Sequence, residues 1–158
     1  MTTGVETPDV QRGDHRRLIL AALIPPAAFI SDAEGRFIEF NEAFATFHKF
    51  RTQEECAKSL IEYPVLLEVF LPNGDLAPLV QWVVPRALRG EAAANAEHTL
   101  RRKDTGETWV GSYSFAPIRY KDGRIVGSVV TGRDITERKQ AEQALRQTQS
   151  LLNREANG

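Results

Sequence analysis

The stretch TWVGSYSFAPIRYKDGRIVGSVVT, Thr108 to Thr131, decides the fold. Trp109, Gly111, Tyr113 and Phe115 alternate with Val110, Ser112, Ser114 and Ala116, the period of two of a strand with one apolar face. Lys121-Asp122-Gly123 turns the chain, and Ile125 to Thr131 returns it. Just upstream, Ala96, His98 and Leu100 alternate with Glu97, Thr99 and Arg101 before another turn at Asp104-Thr105-Gly106. Three consecutive strands therefore form an antiparallel meander. Working outward, Ala27 to Ser31 and Phe37 to Phe40 read as two shorter strands joined by a loop ending at Gly35. Between the two groups the signals are helical. Asn41 suits an N-cap, with Phe44 and Phe47 at helical spacing, and Thr52 to Glu55 has the form of a capping box. Leu79 to Leu88 reads as a helix restarted at Pro85, whereas Tyr63 to Leu76 shows mixed patterning. Strand, strand, helices, strand, strand, strand is an antiparallel sheet with segregated helices: the α+β class.

The flanks differ from this core. Asp9 to Leu23 reads as a helix stopped by Pro25-Pro26, because proline lacks an N–H and restricts the residue before it. Asp134-Ile135-Thr136-Glu137 resembles another capping box, and no glycine or proline follows until after Asn153. Ala141, Leu145, Thr148 and Leu152 then fall at heptad spacing, a short coiled-coil seam. The expected organisation is a flexible segment with a cap helix over 1–24, a globular domain over 25–133 and an exit helix over 134–158.

Composition narrows the function. The 158 residues are 42% hydrophobic and 26% charged, as in an ordinary globular chain. Twenty Lys and Arg against 21 Asp and Glu leave a net charge of −1, which argues against a nucleic-acid partner. Cys56 is the only cysteine and no zinc-ligand spacing occurs, so a reducing cytoplasm is expected and no metal site. The apolar run Leu18 to Ile30 is broken by the proline pair and is too short for a membrane span. Acidic Glu6, Asp9 and Asp14 speak against a signal peptide there. Gly-rich phosphate loops, metalloprotease motifs and nucleophile elbows are all missing, so an enzyme is not expected.

The residues together resemble a PAS domain, the sensor module of bacterial histidine kinases, diguanylate cyclases and related signalling proteins. The resemblance rests on Phe29-Ile30-Ser31-Asp32, on Gly35 to Phe44, on Leu100 to Gly106 with Trp109, and on Pro117 to Gly123. Val126-Gly127 running into Asp134-Ile135-Thr136-Glu137-Arg138-Lys139 looks like the family's Asp-Ile-Thr exit motif. It covers about residues 25–140 and implies five antiparallel strands in the order 2-1-5-4-3, with helices over one face. It also implies a sensory and signal-relay module, a homodimer, and an output domain such as a histidine kinase or diguanylate cyclase in a longer parent protein. A ligand-free dimerisation or protein-interaction domain with a filled core is the alternative. The cofactor is unknown. The helix around Pro78 to Leu88 has no histidine, which speaks against haem, and Cys56 lacks the Asn-Cys-Arg context of photoactive flavin members.

Facing geometry and the family's usual ligand position together give a small-molecule pocket lined by Phe29, Ser31, Trp82, His98, Gly111, Tyr113, Phe115 and Val129. Each has a plainer role. An inward His98 is either a ligand contact or a core histidine bonded to a carbonyl. Tyr113 and Phe115 suit core packing as well as a pocket wall, and Gly111 leaves space inside a strand. His48 reads as a surface or edge residue, Cys56 as a small buried hydrophobe, and Arg101-Arg102-Lys103 as a solvated turn. Signal coupling falls to Trp109, Asp134, Ile135, Thr136 and Glu137. Trp109 begins one strand and Asp134 ends its neighbour, so an indole N–H bonded to the Asp134 carboxylate is expected. Leu18, Leu23, Ala141, Leu145, Thr148 and Leu152 are the expected dimer contacts.

Overall fold

The computed structural model describes residues 25–157. The expected N-terminal helix, with Leu18 and Leu23, lies outside them. In chain order come β1 (Ala27–Asp32), β2 (Phe37–Phe40), α1 (Glu42–Phe47), α2 (Tyr63–Leu66), β3 (Leu67–Phe70), α3 (Val83–Leu88), β4 (Ala93–Arg102), β5 (Thr108–Arg119), β6 (Ile125–Asp134) and α4 (Thr136–Asn157). The described strands form one six-stranded sheet, order β2-β1-β6-β5-β4-β3, with antiparallel neighbours throughout.

One strand more is present than expected. β3 pairs with β4 from Leu67 opposite Arg102 to Phe70 opposite Thr99. It sits inside the mixed stretch Tyr63 to Leu76, and four residues are too few to display alternation. Without that edge strand the order is the expected 2-1-5-4-3.

Helices cover one face only. Ala27, Phe29, Leu100, Trp109, Tyr113, Phe115 and Val130 point beneath them and are buried. His98 and Gly111 share that inner face, opposite each other across β4 and β5. Glu97, Arg101, Ser112 and Ser114 take the outer face, as the alternation requires. Val129 does not belong with the inner set. It pairs with Ala116 and Ile30 on the outer face and is 37% exposed, while Val130 pairs with Phe115 and Phe29 and is fully buried. The inward positions of β6 include Ser128 and Gly132, so polarity alone hides its phase. Ser128 is fully buried because its Oγ meets Ser31 Oγ at 2.6 Å, satisfying both hydroxyls. A side chain at Gly127 would collide with the Ser31 carbonyl oxygen, so β1 and β6 close only over glycine.

Asn41 ties α1 to the sheet. Its Oδ1 accepts from Phe44 N and Ala28 N, each at 3.0 Å, and its Nδ2 donates to Pro26 O. The capping oxygen thus fixes the helix against β1 as well as starting it. Thr52 makes no side-chain cap, and only a 3-10 turn, Gln53–Glu55, follows it. The capping box instead lies at Ser59 and Glu62. At the far end of α1, Arg102 donates to the carbonyls of His48 and Lys49 at 3.3 and 3.4 Å. Its guanidinium also stacks 4.5 Å from the Phe50 ring and pairs with Asp104 at 2.7 Å. Only 9% exposed, Arg102 is a helix clamp and not part of a solvated turn.

Candidate functional site

Phe29 of β1, Phe44 and His48 of α1, Tyr63 of α2, Trp82 before α3 and Tyr113 of β5 surround a cavity of about 40 Å³. One or a few waters fit such a space, whereas drug-sized ligands occupy roughly 300–1,000 Å³. Polar tips are turned away from it: Trp82 Nε1 donates to Ala77 O at 3.1 Å, and Tyr63 OH to Ala57 O at 2.7 Å. His48 Nδ1 sits 3.0 Å from Phe44 O, one helical turn back. Burial, aided by the Arg102 charge, lowers its pKa to about 4, against the hydrogen bond to Phe44 O. The imidazole is neutral near pH 7, and the cavity is lined by uncharged groups.

Of the residues expected to line a pocket, Phe29, Trp82 and Tyr113 do so. Ser31 is spent on Ser128. His98 is buried beside Tyr113, 6.0 Å between ring centroids, but off the cavity. Its Nδ1 approaches Phe70 O at only 3.4 Å, and Nε2 has no partner among the described residues. Burial lowers its pKa. The space at Gly111 is already filled, since a Cβ there would lie 2.7 Å from Phe47 Cζ. Phe115 lies under the Arg86 guanidinium, 4.8 Å away, outside the cavity, and Val129 is on the wrong face. His48 is the residue that sequence reading missed. Its signal was available, because it follows Phe44 by four residues and so shares the buried face of α1.

The second candidate region is the joint where β6 becomes α4. Thr136 Oγ1 accepts from Val110 N at 2.9 Å and donates to Asp134 Oδ1 at 2.5 Å. Ile135 N donates to Val110 O at 2.8 Å, and the Ile135 side chain is buried. Asp134 also accepts from Thr136 N at 2.9 Å, closing an Asx turn. Burial pushes the Asp134 pKa up, but the Thr136 hydrogen bonds and the Lys49 ammonium outweigh it and hold it below the ordinary value. Glu97 on the outer face pairs with Arg138 at 3.4 Å and Lys139 at 3.0 Å, steering the first turns of α4. Glu137 is exposed.

Trp109 and Asp134 do not bond. Asp134 stands opposite Gly111, and Trp109 opposite Leu100. Asp134 therefore stops short of Trp109 along β5, level with Gly111, and the inward indole is 2% exposed with no partner for Nε1 among the described residues. The partner Asp134 takes instead is Lys49 Nζ at 3.2 Å, which lies 5.1 Å over the Trp109 ring.

Beyond the joint α4 runs free. Its 22 residues extend about 33 Å. None is buried, and Ala141, Leu145, Thr148 and Leu152 all face solvent.

The family model described as the PAS fold matches residues 21–140. No curated protein sequence matches the chain. Among solved structures, a sensory box histidine kinase/response regulator from Burkholderia thailandensis superposes with a TM-score of 0.58 at 16% identity, over 88% of this chain and 98% of that one. A PAS domain from Colwellia psychrerythraea gives 0.50 at 18% identity, over 78% and 97%. An RNA-binding light-oxygen-voltage receptor gives 0.51 at 18% identity, over 99% of this chain but only 43% of that one. These likenesses agree in fold with the sheet order and one-sided helices described above. The chain belongs to the PAS-fold family.

Proposed function

We propose that this chain is a non-enzymatic relay in which the state of the aromatic core sets the packing of paired exit helices. The observation that carries it is α4: a helix hydrogen-bonded to β5 at its root and uncovered along its whole apolar seam. Most helical stability in proteins comes from packing an apolar face, so the exposed Leu145 and Leu152 call for a partner surface. A second copy with parallel helices supplies one by the heptad rule, and an output domain such as a histidine kinase or diguanylate cyclase would receive the change. No described helix is long and apolar enough to cross a membrane.

The input is a small uncharged molecule entering the Phe29, Phe44, His48 and Trp82 cavity and displacing these side chains as it does so. The walls suit no ion, and about 40 Å³ is far below the volume of haem or a flavin. The same smallness favours a second reading, a filled core whose task is dimerisation alone. Mass spectrometry of molecules released from the purified, denatured protein separates the two. A stoichiometric small molecule supports sensing, and its repeated absence from protein isolated under varied growth conditions supports the filled core.

A further inference from the structure

We infer that Lys49 is the positioning residue that connects the cavity wall to the exit helix, an inference that rests on the relay reading above. Phe44 and His48 form part of the cavity wall, and Lys49 is the next residue of the chain. Its backbone has φ 65°, the left-handed region that ends a helix and favours glycine. Phe50 N to Ala45 O at 2.8 Å and Lys49 N to Thr46 O at 3.0 Å close that terminus. A lysine held there against backbone preference has its side chain in use. Nζ is 3.2 Å from Asp134 Oδ2 and 3.9 Å from Glu107 Oε2, and it lies over the buried Trp109 indole.

Both ends of this link are anchored. Arg102 clamps the carbonyls of His48 and Lys49, so a displacement of the His48 ring is carried to Lys49 and not absorbed by fraying. Asp134 shares its carboxylate between Lys49 and Thr136, and Thr136 in turn holds Val110. A shift of α1 must therefore drag Asp134 or break the ion pair. Either outcome changes the bonds that aim α4. The path is a continuous chain of contacts between two separate elements, and the Lys49–Asp134 ion pair, made or broken, is the two-state element that coupling requires and that the test below perturbs from the cavity side.

The test needs no ligand, so its failure is separate from failure of the sensing assignment. Amide exchange of residues 135–140 is measured in the full chain, with and without Val84→Ala as a mild perturbation of the cavity wall. Lys49→Met is expected to speed exchange there about two- to fivefold, the range of one exposed ion pair, with residues 112–116, beyond the joint, unchanged. Val84→Ala should speed exchange at 135–140 in the parent and in Lys49→Arg, and add nothing in Lys49→Met. Lys49→Gly, which relieves the backbone, should behave like Lys49→Met. Equal effects of Val84→Ala in all backgrounds, or unchanged exchange in Lys49→Met, would overturn the assignment.

Discussion

His48 and Gly111 carry the residue-scale consequences. The folded state holds His48 neutral down to about pH 4, whereas the unfolded chain protonates it near its ordinary value of 6.5. Between those values the unfolded state binds more protons, so stability rises with pH there. The contribution is complete above about pH 6.5 and is lost as pH falls toward 4, by about 3 kcal/mol in all. His98 shifts in the same direction and adds to the slope. Urea unfolding from pH 7 to 4.5 should show this fall, and His48→Gln should flatten most of it. An unchanged slope in that variant would remove His48 from the account. Gly111 is the second case. With Phe47 Cζ 2.7 Å from where its Cβ would stand, Gly111→Ala forces an aromatic ring to move. Overpacking of that kind costs about 1–3 kcal/mol, read as a lower midpoint in denaturant. A midpoint unchanged or raised would mean that Phe47 yields freely.

Among the elements, α4 behaves unlike the rest. It is long, has no buried residue, and presents Leu145 and Leu152 at 59% and 58% exposure. Thr148 spends its hydroxyl on Ala144 O at 3.0 Å, which lets a polar residue sit in an apolar seam. Analytical ultracentrifugation of the chain should show a dimer, and the double substitution Leu145→Asp/Leu152→Asp should weaken it at least tenfold, since charge at seam positions is desolvated on association. A chain that stays monomeric at high micromolar concentration would exclude the paired-helix relay. Arg102 is the other element-scale device. Donating to the last carbonyls of α1 from the end of β4, it keeps that terminus from fraying, so movement of the cavity wall reaches Lys49.

For the whole molecule, stability and signalling occupy different parts of the chain. One apolar core under the helices holds the sheet, while α4 adds only exposed ion pairs beyond its first turn, such as Arg146 with Glu142 at 3.9 Å. Pairs of that kind contribute about 0–1 kcal/mol each. A chain ending after Gln140 is therefore expected to melt within a few degrees of the full chain, measured at low concentration where α4 is unpaired. A large drop would show that α4 packs on the domain. Retained melting together with lost dimerisation would locate association in the exit helix.

Periodicity and turn chemistry in the sequence determined much of this arrangement. Trp109 to Phe115 alternated visibly, Asn41 announced α1, Gly123 its hairpin, and the glycine-free run after Asp134 the exit helix, because each is set by neighbours in the chain. Three features were decided by tertiary structure alone. Val129 and Val130 are adjacent and equally apolar, and the register of β6 against β1 and β5, with Ser128 against Ser31, selects which one is buried. The gap at Gly111 looked open in one strand, and Phe47 from a distant helix fills it. Asp134 was recognisable as a cap, but its partner Lys49 stands 85 residues away. Local order follows from the chain's own backbone and periodicity, whereas cavities, ion pairs and couplings depend on which distant side chains arrive at the same point in space.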